Sequence, residues 1–334
     1  MQTNENVIPV ESDVNHYLKK RRLMLDNDIE YLFKKFNIRK LLHISNINKR
    51  TGQTTENLIF DLFFIPFLML TNVFLFVRTQ YENTAGKNKY YRLLENARYN
   101  WSSFILNISF TVFSTMLEVS SRSNIANEKP IKKPESFYVV DDSLIQVSGK
   151  LIESASYLYD HVSGKTVLGF QKLVLGIFDG SRFLPICNHL CNGKTKPKAK
   201  SKAKKYKKIP KIEKILDDCP GAMEREMLDK TKLELMIKML KQAMKRGFTA
   251  STVLFDSWFC FNSFISKIKN TLKIDVICQL KNLPNANKYF YQDKPYSLAQ
   301  LYDKFAVSRL RMVKKHNFKR SVMTVCTTDS NLKL

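Results

Sequence analysis

The second half of the chain restricts the fold more than any other region, because strand-like and helix-like segments follow one another there in a definite order. Three runs rich in β-branched and aromatic residues come first, at 137–145, 166–178 and 182–190. The dipeptide Asp179-Gly180 between the second and third runs is typical of a β-hairpin turn. These three strands are therefore expected to form an antiparallel sheet.

Helices and strands alternate after this sheet. A helix is predicted between Thr231 and Gly247, because Thr231 and Glu234 have the spacing of a capping box and Gly247 follows two basic residues. The later segments are a strand at 252–258, a helix near 260–270 and a strand at 275–280. Strand, helix, strand in this length is a βαβ unit with parallel strands. The sequence thus predicts an α/β fold with a mixed sheet, in which the fourth strand lies beside the first.

The region before the sheet is different in character. Residues 1–125 are predicted to be helical, since apolar residues recur there every three or four positions. A polar linker at 126–136 follows, and its Pro130 and Pro134 disfavour helix. Within the helical region, 87–109 divides into two short amphipathic pieces. Either a DNA-binding helix-turn-helix or an ordinary helical hairpin fits this pattern.

Two features bear on where the protein resides. Residues 58–77 form an apolar run nearly long enough to cross a bilayer, but Asp61 and Pro66 interrupt it. A charge near the centre of a membrane helix costs about 3 kcal/mol on insertion scales, so a buried helix or helix pair is expected and no membrane span. The six cysteines lack the spacing of a disulfide framework and no secretory leader precedes them, which predicts a cytoplasmic protein.

The chain is strongly basic, with 55 Lys and Arg residues against 30 Asp and Glu residues and a formal net charge of +25. A polyanion is the expected partner, and nucleic acid is the commonest one. A tract at 194–214 holds eleven lysines and one glutamate. It is predicted to be a loop that contacts the DNA backbone or a loop that only aids solubility. Its candidate DNA-binding residues are Lys194, Lys196, Lys198, Lys200, Lys202, Lys204, Lys205, Lys207 and Lys208.

Acidic residues stand where two of the apolar strands end or break. Asp141 and Asp142 follow Val140, and Asp256 follows Phe255. A charge in an apolar strand is costly unless it is paired or bound to a metal, and neighbouring carboxylates suit Mg²⁺ or Mn²⁺. Two such ions can activate a water or a 3′-hydroxyl and stabilise the leaving oxygen in phosphodiester cleavage. The alternative is that each acid caps a turn or a helix.

Three runs carry a resemblance to a known family. They are VVDDSLIQVSGKLIES at 139–154, YDHVSGKTVLGFQKLVLGIFDGSRFLPI at 159–186 and VLFDSWF at 253–259. Together they resemble the DDE-type transposases of bacterial insertion sequences, over roughly residues 55–330. In that family the first acid is followed at two positions by Ser or Thr, which matches Asp141 with Ser143 and leaves Asp142 as the alternative. The second acid precedes an aromatic residue by two or three positions, which matches Asp256.

The resemblance implies an RNase H-like catalytic core at 137–285 and the start of a β-rich insertion at 286–334. It also implies an endonuclease and strand transferase that uses two Mg²⁺ or Mn²⁺ ions. Double-stranded DNA, as terminal inverted repeats and as target, would be its partner, and the complete enzyme would be a homodimer at the nucleoid. A protein that binds nucleic acid without catalysis is the competing interpretation, which explains the charge but not the acids at strand ends.

The family pattern requires a third carboxylate, a Glu that lies on a helix after the insertion. Its signature is Tyr, two residues, Arg, three residues, Glu, six residues, Lys. In this chain the last glutamate is Glu234, which precedes Asp256, and none follows. The resemblance therefore predicts that the chain stops before its last catalytic acid and is inactive, or nearly so, by itself.

Overall fold

The computed structural model describes residues 11–79, 86–126, 136–149, 152–191, 218–280, 289–292, 294–307, 311–313, 318–320 and 326–327. The chain is a mixed α/β protein that forms two compact units. The first unit contains 1–131, 149–155 and 194–229, and the second contains 132–148, 156–193 and 230–334. The lysine tract, with its candidate residues from Lys194 to Lys208, and most of the predicted linker lie outside the described residues.

The first unit is built from helices, as predicted for the described part of 1–125. They are α1 Glu11–Lys35, α2 Ile38–Ile44, α3 Thr55–Phe67, α4 Val73–Thr79, α5 Lys87–Leu94, α6 Trp101–Ala126 and α7 Pro220–Met227. The apolar run at 58–77 is a helix pair, because α3 ends just after Pro66 and Met69 adopts a left-handed backbone with φ 57° before α4 begins. The prediction of a helix pair is confirmed.

The longest apolar helical segment lies elsewhere than the sequence indicated. The second piece predicted within 87–109 is in fact α6, which continues to Ala126. Among the described helices, its segment Trp101–Val119 is the one that is long and apolar enough to cross a membrane by length and composition. Ser, Asn and Thr residues alternate with the apolar residues of this helix. The Thr111 and Thr115 hydroxyls donate hydrogen bonds to the backbone carbonyls one turn earlier.

A buried ion pair holds three helices of the first unit together. The Arg22 guanidinium on α1 donates to one Asp61 oxygen on α3 at 2.7 Å, and the Tyr90 hydroxyl on α5 donates to the other oxygen at 2.7 Å. Arg22 also lies over the Phe64 ring, 4.7 Å from its centroid. Burial raises the pKa of Asp61, against the lowering effect of Tyr90 and Arg22. The charged residue within the apolar run, Asp61, therefore has a structural role in joining these helices.

The second unit contains the predicted mixed sheet. Its strands are β1 Phe137–Gln146, β2 Ser156–Asp160, β3 Lys165–Phe178, β4 Phe183–Cys191, β5 Thr252–Phe255 and β6 Asp275–Cys278. β3 pairs antiparallel with β1, β2 and β4, whereas β1, β5 and β6 pair parallel in that order. The predicted three-stranded antiparallel sheet and the βαβ unit are both confirmed. The short strand β2 was not predicted.

Two helices connect the strands of this sheet. They are α8 Lys232–Arg246, between β4 and β5, and α9 Asn262–Leu272, between β5 and β6. The predicted capping box of α8 is present between Thr231 and Glu234, and Gly247 ends the helix with φ 110°, a left-handed conformation that favours glycine. β5 is shorter than predicted, because Asp256 ends the strand by capping a 3-10 turn at Ser257–Phe259.

The region predicted as β-rich, 286–334, contains two small sheets in its described parts. β7 Tyr289–Tyr291 pairs with β8 Lys294–Tyr296 and with β11 Cys326–Thr327, and β9 Arg311–Val313 pairs with β10 Phe318–Arg320. A short helix, α10 Leu298–Leu301, and a π-helical turn lie between β8 and β9 in the chain. The strand content follows the sequence, but these helical turns were not predicted.

Candidate active site

An open cleft of about 430 Å³ lies where the parallel pairing of β1, β5 and β6 stops. β5 and β6 each contribute their last two residues and the next one, at 254–256 and 277–279, whereas β1 contributes 139–141 from its middle and continues beside β3 to Gln146. The register pairs Val140 with Phe255 and Phe255 with Cys278, so the residues that follow these positions are neighbours. In open α/β sheets, ligands bind at the carboxyl ends of parallel strands. The topology therefore brings Asp141 and Asp256 into one cleft, although they lie far apart in the chain.

Both cleft carboxylates also make a local hydrogen bond. Asp141 Oδ1 accepts from the Asp142 backbone N–H at 2.8 Å. Asp256 Oδ1 accepts from the Trp258 backbone N–H and so caps the turn at Ser257–Phe259. Each side chain is exposed, and neither forms an ion pair with any residue that the structure describes. The cap that the sequence offered as an alternative for Asp256 is present, and it occupies only one of the two oxygens.

Asp142 occupies a different environment from its neighbour. Successive side chains of a strand point to opposite faces, so Asp142 does not share the orientation of Asp141. Its Oδ2 accepts a hydrogen bond of 2.8 Å from the Lys232 ammonium, in a pair where the lysine side chain is only 9% exposed. Asp142 is absent from the cleft lining, which contains Asp141. Of the two candidates for the first acid, Asp141 is the one that lines the same cleft as Asp256.

Lys232 contacts both β1 and the turn after β5, a role that sequence reasoning missed. It is the first residue of α8, where the helix dipole disfavours a positive charge. Asp142 offsets that cost, and so does the Trp258 ring, whose centroid lies 4.3 Å from the ammonium. Asp142 belongs to β1 and Trp258 to the turn after β5, so Lys232 connects the two segments that carry the cleft acids. Burial raises the pKa of the nearby Cys191 thiol to about 11, although Lys232 opposes that shift.

A second contact fixes the relative position of β1 and β5. The Tyr138 hydroxyl, on β1, donates a hydrogen bond of 2.7 Å to the Phe248 carbonyl in the loop that leads to β5. Tyr138 is fully buried, and burial raises its pKa to about 12. The hydroxyl therefore stays protonated and donating at neutral pH. Asp141 lies three residues after this anchored tyrosine.

The donor set at the cleft fits a hard divalent cation that shares its coordination with a substrate. Carboxylate oxygens are the ligands that Mg²⁺ and Mn²⁺ prefer. In many phosphate-handling sites Mg²⁺ is held by only one or two carboxylates, together with waters and substrate phosphates. Among the described residues, no group of three or more His, Cys, Asp or Glu side chains is placed to hold a metal ion. Asp141 and Asp256 are thus suited to an ion that is also held by a phosphate.

Comparison with family models and with curated proteins finds no match to this chain. The cleft, the sheet and the charge of the chain are therefore the features that bear on its function.

Proposed function

We propose that the chain is a DDE-type transposase with an RNase H-like core, whose cleft acids hold Mg²⁺ or Mn²⁺ for cleavage and joining of DNA ends. The observation that carries the proposal is that Asp141 and Asp256 line one cleft, each directly after the last residue pair, Val140 and Phe255, of the parallel ladder between β1 and β5. By the resemblance, these two residues match the first and second acids of the family.

The strand order supports the RNase H-like part of the proposal. From β4 through β3 to β1 the strands are antiparallel, and from β1 through β5 to β6 they are parallel. The family resemblance implies such a mixed sheet with the first acid on its first strand and the second acid on the strand beside it. Here β1 and β5 are these neighbours.

The roles of the residues follow from their chemistry. Asp141 and Asp256 supply the negative oxygens that would hold the cations. When bound, such ions activate a water or a 3′-hydroxyl and stabilise the leaving oxygen. Lys232 is a positioning residue, since it contacts Asp142 and the Trp258 ring and so keeps the two acid-bearing segments in place. The lysine tract at 194–214 would contribute phosphate contacts that do not depend on DNA sequence.

DNA binding tests the cleft more directly than turnover does, because affinity depends on the cation that the acids would hold and not on the chemical step.

The decisive experiment compares DNA affinity with and without Mn²⁺ at constant ionic strength. Divalent cations weaken simple electrostatic binding, because they compete with lysines for phosphates. An ion shared between the cleft acids and a phosphate strengthens binding instead. The proposal therefore predicts a gain of about tenfold with Mn²⁺ for the wild type, within the range usual for coupled sites.

Matched variants identify the source of that gain. Asp256→Asn and Asp141→Asn should each remove it, whereas Asp275→Asn should keep it. Asp275 is an acid at the opposite, amino-terminal end of β6, where it pairs with Lys269 at 3.0 Å.

Non-catalytic nucleic-acid binding is the second candidate function, favoured by the local hydrogen bonds that give both cleft acids a structural use. It predicts that Mn²⁺ weakens DNA binding equally in the wild type and in all three variants. That result would overturn the proposed function.

A further inference from the structure

Two cysteines meet at the edge of the cleft. Cys260 directly follows the 3-10 turn at Ser257–Phe259 and is buried, with 5% of its surface exposed. Cys278 is the last residue of β6, is only partly buried and lines the cleft. The two Sγ atoms are 3.1 Å apart, with the Cys278 thiol donating to Cys260. Both residues are thiols in this structure.

The backbone explains why these sulfurs meet. β6 pairs with β5 so that Cys278 lies opposite Phe255, and the chain after Phe255 turns back through Asp256 and the 3-10 turn to reach Cys260. A disulfide has an S–S bond of about 2.05 Å, so the sulfurs need to approach by roughly 1 Å. Small movements of the two side chains, one at a strand end and one after a turn, can produce a shift of this size.

We propose that Cys260 and Cys278 form a redox-active dithiol, which a small-molecule disulfide of the glutathione type oxidises to an intramolecular disulfide. This proposal does not depend on the function proposed for the cleft acids. Its consequence is structural. Because Asp256 caps the turn that ends at Cys260, the bond would tie the segment carrying Asp256 to the end of β6.

The exposure of the two thiols sets the order of the reaction. Cys278 reaches solvent through the cleft, so its thiolate attacks one sulfur of the small disulfide, releases one small thiol and forms a mixed disulfide. The Cys260 sulfur then attacks the Cys278 sulfur and releases the second small thiol. Two protein thiols are oxidised and one small disulfide is reduced, and the two protons lost by the cysteines end on the two released thiols.

The resting state of the pair is the protonated dithiol. The hydrogen bond to Cys260 raises the pKa of the Cys278 thiol, and burial raises it further. Since the thiolate is the attacking species, exchange should be slow compared with that of an activated cysteine. The pair is therefore suited to respond to a sustained change in redox conditions.

The test uses the full chain, fully reduced and then incubated with oxidised glutathione. Remaining thiols are alkylated, and tryptic peptides are analysed by mass spectrometry without reduction. The proposal predicts that the main oxidised product joins the peptide of residues 247–267, which holds Cys260, to the peptide of residues 274–281, which holds Cys278. If both cysteines are recovered alkylated, or if either is linked to one of the other four cysteines, Cys187, Cys191, Cys219 or Cys326, the proposal is wrong.

Single variants test the order of attack. Cys260→Ser should accumulate one glutathione on Cys278, because the resolving thiol is gone. Cys278→Ser should leave Cys260 unmodified, since Cys260 is buried. Cys219→Ser, a change in the first unit, is the control and should form the Cys260–Cys278 bond at the wild-type rate. An unmodified Cys278 in the Cys260→Ser protein would overturn the proposed reaction.

Discussion

Two carboxylates that interrupt apolar runs have opposite environments in the two units. Asp61, in the helical first unit, is buried, and its two oxygens accept hydrogen bonds from Arg22 and Tyr90. Asp256, at the end of β5 in the second unit, is exposed and uses one oxygen to cap the next turn. The same sequence signal therefore marks a structural ion pair in one unit and an open cleft in the other. The difference is whether protein groups already satisfy both oxygens.

The largest expected difference between the two acids is in stability. Asp61→Ala leaves the Arg22 guanidinium buried without its counter-ion, a change that typically costs about 3–5 kcal/mol. Asp256→Ala removes only a cap, which usually costs about 0.5–2 kcal/mol. Urea unfolding reports on each unit separately in single-tryptophan backgrounds, Trp258→Phe for the first unit and Trp101→Phe for the second, because the two tryptophans of the chain lie in different units. Equal destabilisation by the two substitutions would mean that the two acids do not differ in this way.

The next largest expected effect is the loss of stability of the second unit when Lys232 is replaced. Lys232 contacts both segments that carry the cleft acids. Lys232→Met removes a hydrogen bond between charged groups and leaves Asp142 without its partner, so a loss of about 1.5–3 kcal/mol is expected. Lys269→Met is the matched control, because its pair with Asp275 is largely exposed and such pairs contribute about 0–1 kcal/mol. Unfolding of the second unit in urea measures both. A loss at Lys232 no larger than at Lys269 would remove its positioning role.

The smallest predicted effect is the pH dependence that Asp61 gives to the first unit. Burial raises the pKa of Asp61 above its ordinary value of 3.8, so the folded state binds the proton more tightly than the unfolded state. Its contribution to stability is complete below pH 3.8 and is lost as the pH rises through the raised pKa. Asp61→Asn cannot titrate. The stability of the wild type relative to Asp61→Asn should therefore fall as the pH rises through this range, and a constant difference would contradict the assignment.

Local signals in the sequence were sufficient to predict many of the strands and helices of the second unit. The hairpin dipeptide Asp179-Gly180 and the caps at Thr231 and Gly247 depend only on nearby residues, and the structure has β3, β4 and α8 where they were predicted. β2 was missed although Tyr157 and Tyr159 are strand-favouring residues, because the strand has only five residues and Leu158 is its one buried apolar side chain.

The missed parts of the cleft depend on contacts between residues distant in the chain. Lys232 follows a cap residue, a position that normally indicates an exposed side chain, and its burial comes from Asp142 and Trp258. The Cys260–Cys278 contact depends on the parallel pairing of β5 with β6, which brings two otherwise scattered cysteines together. Neither contact can be predicted from sequence spacing alone, because both form only when the sheet is assembled.

The most direct test of the central claim, that Asp141 and Asp256 share a divalent cation, is a Mn²⁺ titration of the full chain. Electron paramagnetic resonance of the unbound ion measures the bound fraction. The wild type should bind Mn²⁺, and Asp141→Asn and Asp256→Asn should each weaken that binding by at least about tenfold, or ~1.4 kcal/mol. Asp142→Asn and Asp275→Asn should bind as the wild type does. Equal Mn²⁺ binding by all five proteins, or none by the wild type, would contradict the account.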